Sequence, residues 1–579
     1  MKTGERWIAA LAVAVLVFIA AISQADAGKQ QQASASARQP ATTPQTSLKA
    51  ETRLVQLSVL VHDKSGAPVR DLKKEDFVIL DEKQPQAIQM FSMETSLPPT
   101  TTPAPLPAGT YTNRLASRAG VSNSITVILL DGLNTTIPDQ AFARQGVVKF
   151  LGQIEPQDRV AVYTLGHDLR ILHDFTNDAS SLVRAVQQYK GRSTQVLQAS
   201  TATPITDIGP DLYSSELDSI NFLFRDESQK EAAFYTQNRV HATVEAMKAI
   251  ADHVSSLPGR KNLIWVSGSF PIAFGFDNTQ QNIFAEKQSF DSDIADAVRA
   301  LNNASLAVYP VDARGLLAPG MLNTASTSLT NQMSQTEQLS VGQQSISFRE
   351  MPIDSSLTME ALAHGTGGRA YYNNNDIYGS IRQAIDDSQV TYTIGYYPAG
   401  IKWDGKYHNI KVEVQRPGVK IQSRKGYFAL PEPKLTPQVR QAVIAEVARN
   451  PLDATGIGMT AVVHQVGTMR ALKTSVLFDL RDVRMEQTGG AYSGAVDIVM
   501  LDLNDQNKIL GATDQTFQLK LPPDLYAKLL KEGVSLTKEL PIAPDAVQLR
   551  VVVRDANTGT MGTVRIPMAD YFPVKPAAH

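Results

Sequence analysis

Ile125-Thr126-Val127-Ile128-Leu129-Leu130 is a near-continuous apolar run that ends in Asp131 and passes into Gly132-Leu133-Asn134-Thr135-Thr136. A strand with one face in water alternates apolar and polar residues; a run without alternation predicts a strand covered on both faces, as in parallel sheets. After the loop, Phe142, Val147, Phe150, Leu151 and Ile154 fall on one helical stripe. The pattern then repeats. Strands are predicted over 160–164, 263–266 and 306–311, with helices over 182–189, 240–257, 292–302, 357–363 and 376–387, and a last strand over 392–397. Such alternation predicts a doubly wound α/β sheet with right-handed crossovers over residues 124–430. Polar insertions near 191–229 and 314–354 break its rhythm.

On either side the pattern changes. Residues 51–93 read as a small all-β module with Val55, Leu57, Val59 and Val61 on one face, and 94–123 as a semi-rigid Pro/Thr linker. Beyond the centre, 431–457 reads as a helical connector that starts at Thr436-Pro437, and 458–579 as a β-sandwich of alternating strands and turns. The expected fold class is therefore multi-domain: a central α/β doubly wound domain flanked by a small N-terminal all-β module and a C-terminal β-sandwich.

The N-terminus points to export. Lys2 and Arg6 precede an apolar run of 16 residues from Trp7 to Ile22, and Ala25-Asp26-Ala27 offers small residues for cleavage. That is a secretory signal peptide over 1–27, too short for the roughly 20 residues of a spanning helix. Residues 28–50 follow as a flexible tether. No transmembrane segment is expected after cleavage. The sequence leaves periplasmic, cell-surface and secreted destinations open and sets no oligomeric state. Its 55 Lys+Arg against 57 Asp+Glu carry no basic excess, so nucleic acid is not an expected partner. The absence of cysteine excludes disulfides, thiol catalysis and Cys-ligated zinc.

Asp131 is the sharpest candidate for chemistry. In open α/β sheets ligands bind outside the carboxyl ends of strands, and an aspartate there with nearby hydroxyls offers hard oxygens suited to magnesium or calcium. Capping of the following turn by Asp131 is the structural alternative. Nine histidines show no His-x-x-His spacing, and no Gly-x-Ser-x-Gly elbow is present, so no catalytic residue is assigned. A hydrolase using Asp131, Ser267 and Asp312 is the rival from another class. Arg260-Lys261 reads as a solvated connector, and the stretch 502–507 as a hairpin turn.

The chain resembles the von Willebrand factor A domain and, more closely, the VWFA-related domain family described from acidobacterial genomes. The resemblance covers roughly residues 52–430 and rests on several stretches together: Val69-Arg70-Asp71-Leu72-Lys73-Lys74-Glu75-Asp76-Phe77, Leu130-Asp131-Gly132-Leu133-Asn134-Thr135, Gly259-Arg260-Lys261-Asn262-Leu263-Ile264-Trp265, Tyr309-Pro310-Val311-Asp312-Ala313-Arg314-Gly315, Thr366-Gly367-Gly368 and Tyr392-Thr393-Ile394-Gly395-Tyr396-Tyr397. It implies a metal-ion-dependent adhesion site whose shell a partner's carboxylate completes. Asp131 matches that site's first aspartate and Thr135 replaces its second serine, while Asn134 could add an oxygen. Thr194, with Ser193, is the second-loop candidate, and Ser267 stands where an aspartate is expected. Leu133 occupies the first serine position and offers no ligand. The set is degenerate, so it implies magnesium or calcium held weakly or not at all. The resemblance implies an exported protein that binds a protein or peptide. On this reading Asp131→Ala weakens partner capture without unfolding the chain, which a pull-down from envelope extract checks.

Overall fold

The computed structural model describes residues 54–95, 106–115, 125–191, 197, 215–268, 290–316, 355–431 and 436–572. The expected signal segment and tether lie outside the described residues. In chain order come β1 (Val55–His62), β2 (Phe77–Asp81), β3 (Gln84–Gln86), β4 (Ile88–Thr95) and a short β5 (Thr110–Thr112). The central unit follows with β6 (Ile125–Asp131), α1 (Ile137–Leu151), β7 (Arg159–Leu165), β8 (Leu169–Thr176), α2 (Ala179–Gln188), α3 (Ser215–Val254), β9 (Lys261–Ser267), α4 (Phe290–Asn303), β10 (Leu306–Asp312), α5 (Ser355–Thr366) and α6 (Ile377–Asp387). Next are β11 (Val390–Tyr396), β12 (Tyr407–Val414), β13 (Lys420–Gln422) and β14 (Gly426–Phe428), then α7 (Pro437–Arg449). The last part holds β15 (Met459–Gln465), β16 (Ala471–Phe478), β17 (Glu486–Thr488), β18 (Ala491–Leu503), β19 (Ile509–Leu521), α8 (Pro523–Glu532), β20 (Val534–Pro541), β21 (Gln548–Asp555) and β22 (Met561–Pro567).

The central sheet has strand order β10-β9-β6-β7-β8, parallel except for the β7/β8 hairpin. Every residue of β6, β9 and β10 is buried, because helices cover both faces. Val127, Leu129, Trp265 and Val308 pack with Val244, Ile250, Val298 and Leu362 from α3, α4 and α5. Ile128, Leu130, Ile264 and Tyr309 pack with Val147, Val186 and Ile381 from α1, α2 and α6. Thr136 caps α1 by accepting from the Asp139 amide, with proline in the first turn. A side chain at Gly146 would meet Ile377 at 2.7 Å, so glycine is what lets α1 and α6 lie this close.

Strand β11 departs from expectation. It does not extend the α/β sheet but runs antiparallel between β1 and β4, with Leu57 opposite Ile394 and Ile394 opposite Phe91. Residues 51–93 are likewise not a module of their own: β2 pairs with β12, and two four-stranded sheets, β13-β1-β11-β4 and β14-β12-β2-β3, share a core of Leu57, Phe77, Ile79, Tyr392 and Ile394. A unit of some 40 residues buries too little surface to stand alone, and these strands gain theirs from the far side of the α/β unit. Tyr392 joins the two ends, since its hydroxyl accepts from the Leu72 amide at 3.2 Å and donates to the Val69 carbonyl at 2.9 Å.

The expected linker is also partly structured. β5 adds to the sheet β20-β16-β15-β5, which faces β17-β18-β21-β22 with β19 on β18. The two sheets enclose Val476, Phe478, Val496, Val551 and Val564. Asn113 pins the entry: its amide nitrogen donates to the Ala454 and Ile457 carbonyls at 2.7 and 2.8 Å, and its oxygen accepts from the Met459 amide at 2.8 Å. Of the two expected insertions, 215–229 lies in α3. Arg260 and Lys261 are buried rather than solvated; Arg260 donates to the Gly367 carbonyl and the Tyr309 hydroxyl, and Lys261 to the Leu257 carbonyl. Burial pushes the Lys261 amine down to about 8. No helix among the described residues is long and apolar enough to cross a membrane.

Asn113→Ala takes the Asn113 partner from the Ile457 carbonyl and the Met459 amide in the core, while the Ala454 carbonyl keeps the Thr563 amide, and is expected to lower local stability by roughly 2–3 kcal/mol. Hydrogen exchange read by mass spectrometry checks this: β15 amides should exchange faster while β6 and β9 stay protected.

Candidate functional site

The order of the central sheet reverses at β6. Its neighbour on one side is β7, next in the chain, and on the other β9, reached only after the chain has crossed to the opposite face. Loops leaving such a point diverge and open a crevice beyond the strand's carboxyl end. Asp131 ends β6 there.

Its carboxylate is buried and turned inward. Oδ1 accepts from the amides of Leu133 and Asn134 at 3.1 and 3.0 Å. Oδ2 accepts from Asn134 Nδ2 at 2.8 Å, Trp265 Nε1 at 2.9 Å and Ser267 Oγ at 2.8 Å. Asn134 Nδ2 also donates to Thr243 Oγ1, and Asn134 Oδ1 accepts from Arg239 Nε at 3.0 Å. Thr135 Oγ1 accepts from the Gly268 amide at 2.8 Å. Burial raises the Asp131 carboxyl, against the pull of its donors. Burial also lowers the Arg239 guanidinium, and the Asp131 charge opposes that shift.

Four of the residues expected as metal ligands, Asp131, Asn134, Thr135 and Ser267, thus meet in one cluster, but they do not fit a magnesium or calcium ion as arranged. A hard cation needs lone pairs aimed at it, and here both Asp131 oxygens face N–H or O–H hydrogens while Asn134 Oδ1 faces Arg239. Among the described residues no group of three or more His, Asp or Glu could hold a metal. Thr194 and Ser193 lie outside the described residues. Leu133 sends its side chain into the core. Asp312 is held by Arg314 through contacts of 2.7 to 3.2 Å.

Trp265 stands in one of the motif stretches without its bond to Asp131 showing there, and Arg239 and Thr243 escape a motif-based reading altogether. Their signal lies in spacing: Arg239 and Thr243 stand four apart beside the apolar stripe of Val240 and Val244, where a charge is buried only with partners.

Against this cluster lies a cavity of about 250 Å³. Leu130, Ala143 and Val266 form its apolar wall; Gly132 and Thr135 come from the loop, Ile137, Gln140, Ala141 and Arg144 from α1, and Tyr189, Lys190 and Gly191 follow α2. Arg144 donates to the Tyr189 carbonyl at 2.7 Å and closes the rim.

No family model matches the chain, and no curated protein matches it. Among solved structures it is similar to an aerotolerance-related membrane protein from Bacteroides fragilis, at 11% identity over 45% of this chain and 98% of that one, with a TM-score of 0.22. It is also similar to BatB, a conserved hypothetical protein from Bacteroides thetaiotaomicron, at 11% identity over 36% of this chain and 96% of that one, TM-score 0.16. A third is the pilus adhesin SpaC from Lactobacillus rhamnosus GG, at 9% identity over 86% of this chain and 57% of the adhesin, TM-score 0.26.

The geometry reverses the expectation that Asp131→Ala leaves the fold intact. Removing the carboxylate takes from five buried donors the acceptor they share and from Arg239 a charge that supports it, a loss of roughly 3–5 kcal/mol. Thermal unfolding followed by the fluorescence of Trp265, whose indole touches Asp131, should show a markedly lower midpoint; an unchanged midpoint would rule out this central role.

Proposed function

We propose that this chain is an extracytoplasmic interaction protein whose α/β unit binds a protein or peptide partner at the carboxyl end of β6, in adhesion or assembly at the bacterial envelope or outside the cell. The observation that carries the reading is the cavity at the point where the strand order reverses, walled by apolar side chains and rimmed by polar ones. The resemblance of the motif stretches to von Willebrand factor A domains supports the same edge. The signal-like N-terminus and the lack of cysteine support export to a compartment where the cores alone hold the fold. On this reading the edge binds and performs no reaction, and the two sandwiches are spacers or further contact surfaces. On this reading recognition needs no resident metal, because the Asp131 oxygens are taken up by donors of the chain itself.

A photoreactive residue placed at Ile137, on the rim, should crosslink a discrete partner that mass spectrometry identifies, whereas the same residue at the exposed Met469 of the C-terminal sandwich should not. Identical products from both positions would sink the reading. Capture at Ile137 should also survive EDTA; abolition by the chelator would bring back a metal.

A further inference from the structure

At the end of the central sheet opposite Asp131, two arginines are buried with no ion pair among the described residues. Arg260 precedes β9 and Arg424 lies between β13 and β14; they are 4% and 9% exposed. Arg260 donates to the Tyr309 hydroxyl and the Gly367 carbonyl, and Arg424 to the Gln56 carbonyl at 2.9 Å. All three acceptors are neutral. The Nε of each arginine has no hydrogen-bond partner among the described residues. A guanidinium stays charged in a protein, and a charge taken out of water without a counter-charge is strongly disfavoured. Burial accordingly pulls the Arg424 guanidinium down.

Both arginines line one small cavity of about 10 Å³, together with Gln56 and Ser58 of β1, Asn302 of α4 and Ser305. That is room for about one water-sized sphere, too little for a phosphate or a carboxylate. The described wall is hydroxyl, amide and guanidinium, with no acid in it. Gln56 is exposed, so the cavity is reached from solvent. Two carboxylates act on the arginines from farther off and are engaged elsewhere. Asp387 feels the Arg260 charge but pairs with Arg369 at 3.5 Å; Asp81 acts on Arg424 but accepts from the Tyr396 and Tyr427 hydroxyls at 2.8 and 3.0 Å. Three guanidinium groups thus stand against two carboxylates. Outside the described residues, the stretch 116–124 that enters β6 at this end of the sheet holds no Asp or Glu, and the acids nearest in sequence to the cavity residues are Glu51 and Glu432.

We infer that this cavity binds one monatomic anion of the halide class, chloride in solution, between the guanidinium groups of Arg260 and Arg424 and beside the Ser58 and Ser305 hydroxyls. The ion ties β1 and the β13–β14 turn to the amino ends of β9 and β10, and so fastens the N-terminal sandwich to the α/β unit. This site is independent of what the β6 edge binds.

The line width of chloride NMR, measured on the full chain at constant ionic strength with gluconate as the replacing anion, tests the site. Bound chloride relaxes fast, so the protein should broaden the line; bromide should compete with it, and sulfate, too large for the cavity, should not. The thermal midpoint should rise with chloride, since a ligand of the folded state adds to stability. Arg260→Gln and Arg424→Gln should each weaken chloride about tenfold, the scale of one hydrogen bond to a charged group. Both positions are buried, and Ser58→Asp keeps the test decisive if these variants fail to fold: from its half-buried place it supplies a carboxylate to the cavity, so both the broadening and the chloride dependence of the midpoint should disappear. Glu51→Gln and Glu432→Gln should change neither. Broadening no greater than that of the Ser58→Asp chain would overturn the inference, as would sulfate competing as well as bromide. Tighter chloride binding in Glu51→Gln or Glu432→Gln would also overturn it, because a carboxylate of the chain would then hold the ion's place.

Discussion

The insertion of β11 between β1 and β4 is the constraint on which the rest depends. All seven of its residues are buried, and its hydrogen bonds on both edges go to strands that precede the α/β unit in the chain. The α/β unit therefore leaves the N-terminal sandwich and returns to it, with both ends clamped in one sheet. The entropy of closing so long a segment is modest, since each doubling of length adds only about 0.6 kcal/mol. Kinetics are a different matter: pairing strands so distant in sequence requires slow, non-local contacts, and the N-terminal strands stay without a core until β11 arrives.

The same weaving ties the C-terminal sandwich in. β5 joins it before the α/β unit begins, and α3 meets it at the other end, where the Thr455 amide donates to the Asp252 carbonyl at 3.0 Å and His253 Nδ1 lies 2.6 Å from the Asp453 carbonyl. A buried Arg550, paired with Asp453 at 3.7 Å, backs that junction. The carboxyl end of β6 is thus carried on a unit held at several points along the chain, which suits a site that must present a fixed rim to a partner.

At that site one carboxylate is spent inward. Asp131 could have faced solvent and an ion; instead indole, hydroxyl, amide and side-chain amide donors converge on it, and Arg239 stands one residue behind, on Asn134. A buried charge so satisfied is costly to disturb and poorly placed to exchange ligands.

Local character was legible in the amino-acid sequence. The unbroken apolar run of β6 marks a strand buried on both faces, Thr436-Pro437 marks the start of α7, and the polar stretch after β18 makes a turn in which the Asn504 amide donates to the Lys508 carbonyl at 3.1 Å. The aspartate at the end of β6 was legible too, with the loop residues beside it. The motif Val69–Phe77 and the motif around Tyr392 could each be seen, but not that one holds the other, because a hydrogen bond between residues some 320 positions apart leaves no trace in either stretch. Burial on both faces looks the same whether the neighbours are parallel or antiparallel strands, so the apolar run of β11 does not distinguish the α/β sheet from the sheet of β1 and β4 in which it lies. Likewise the residue types of Asp131, Ser267 and Asn134 allow a metal, and only the directions of their hydrogens in three dimensions turn the cluster into a closed network around Arg239. Sequence determines what each segment can bury and which groups carry charge; tertiary structure decides which partners satisfy them, since strand pairing and side-chain donors are contributed from distant parts of the chain.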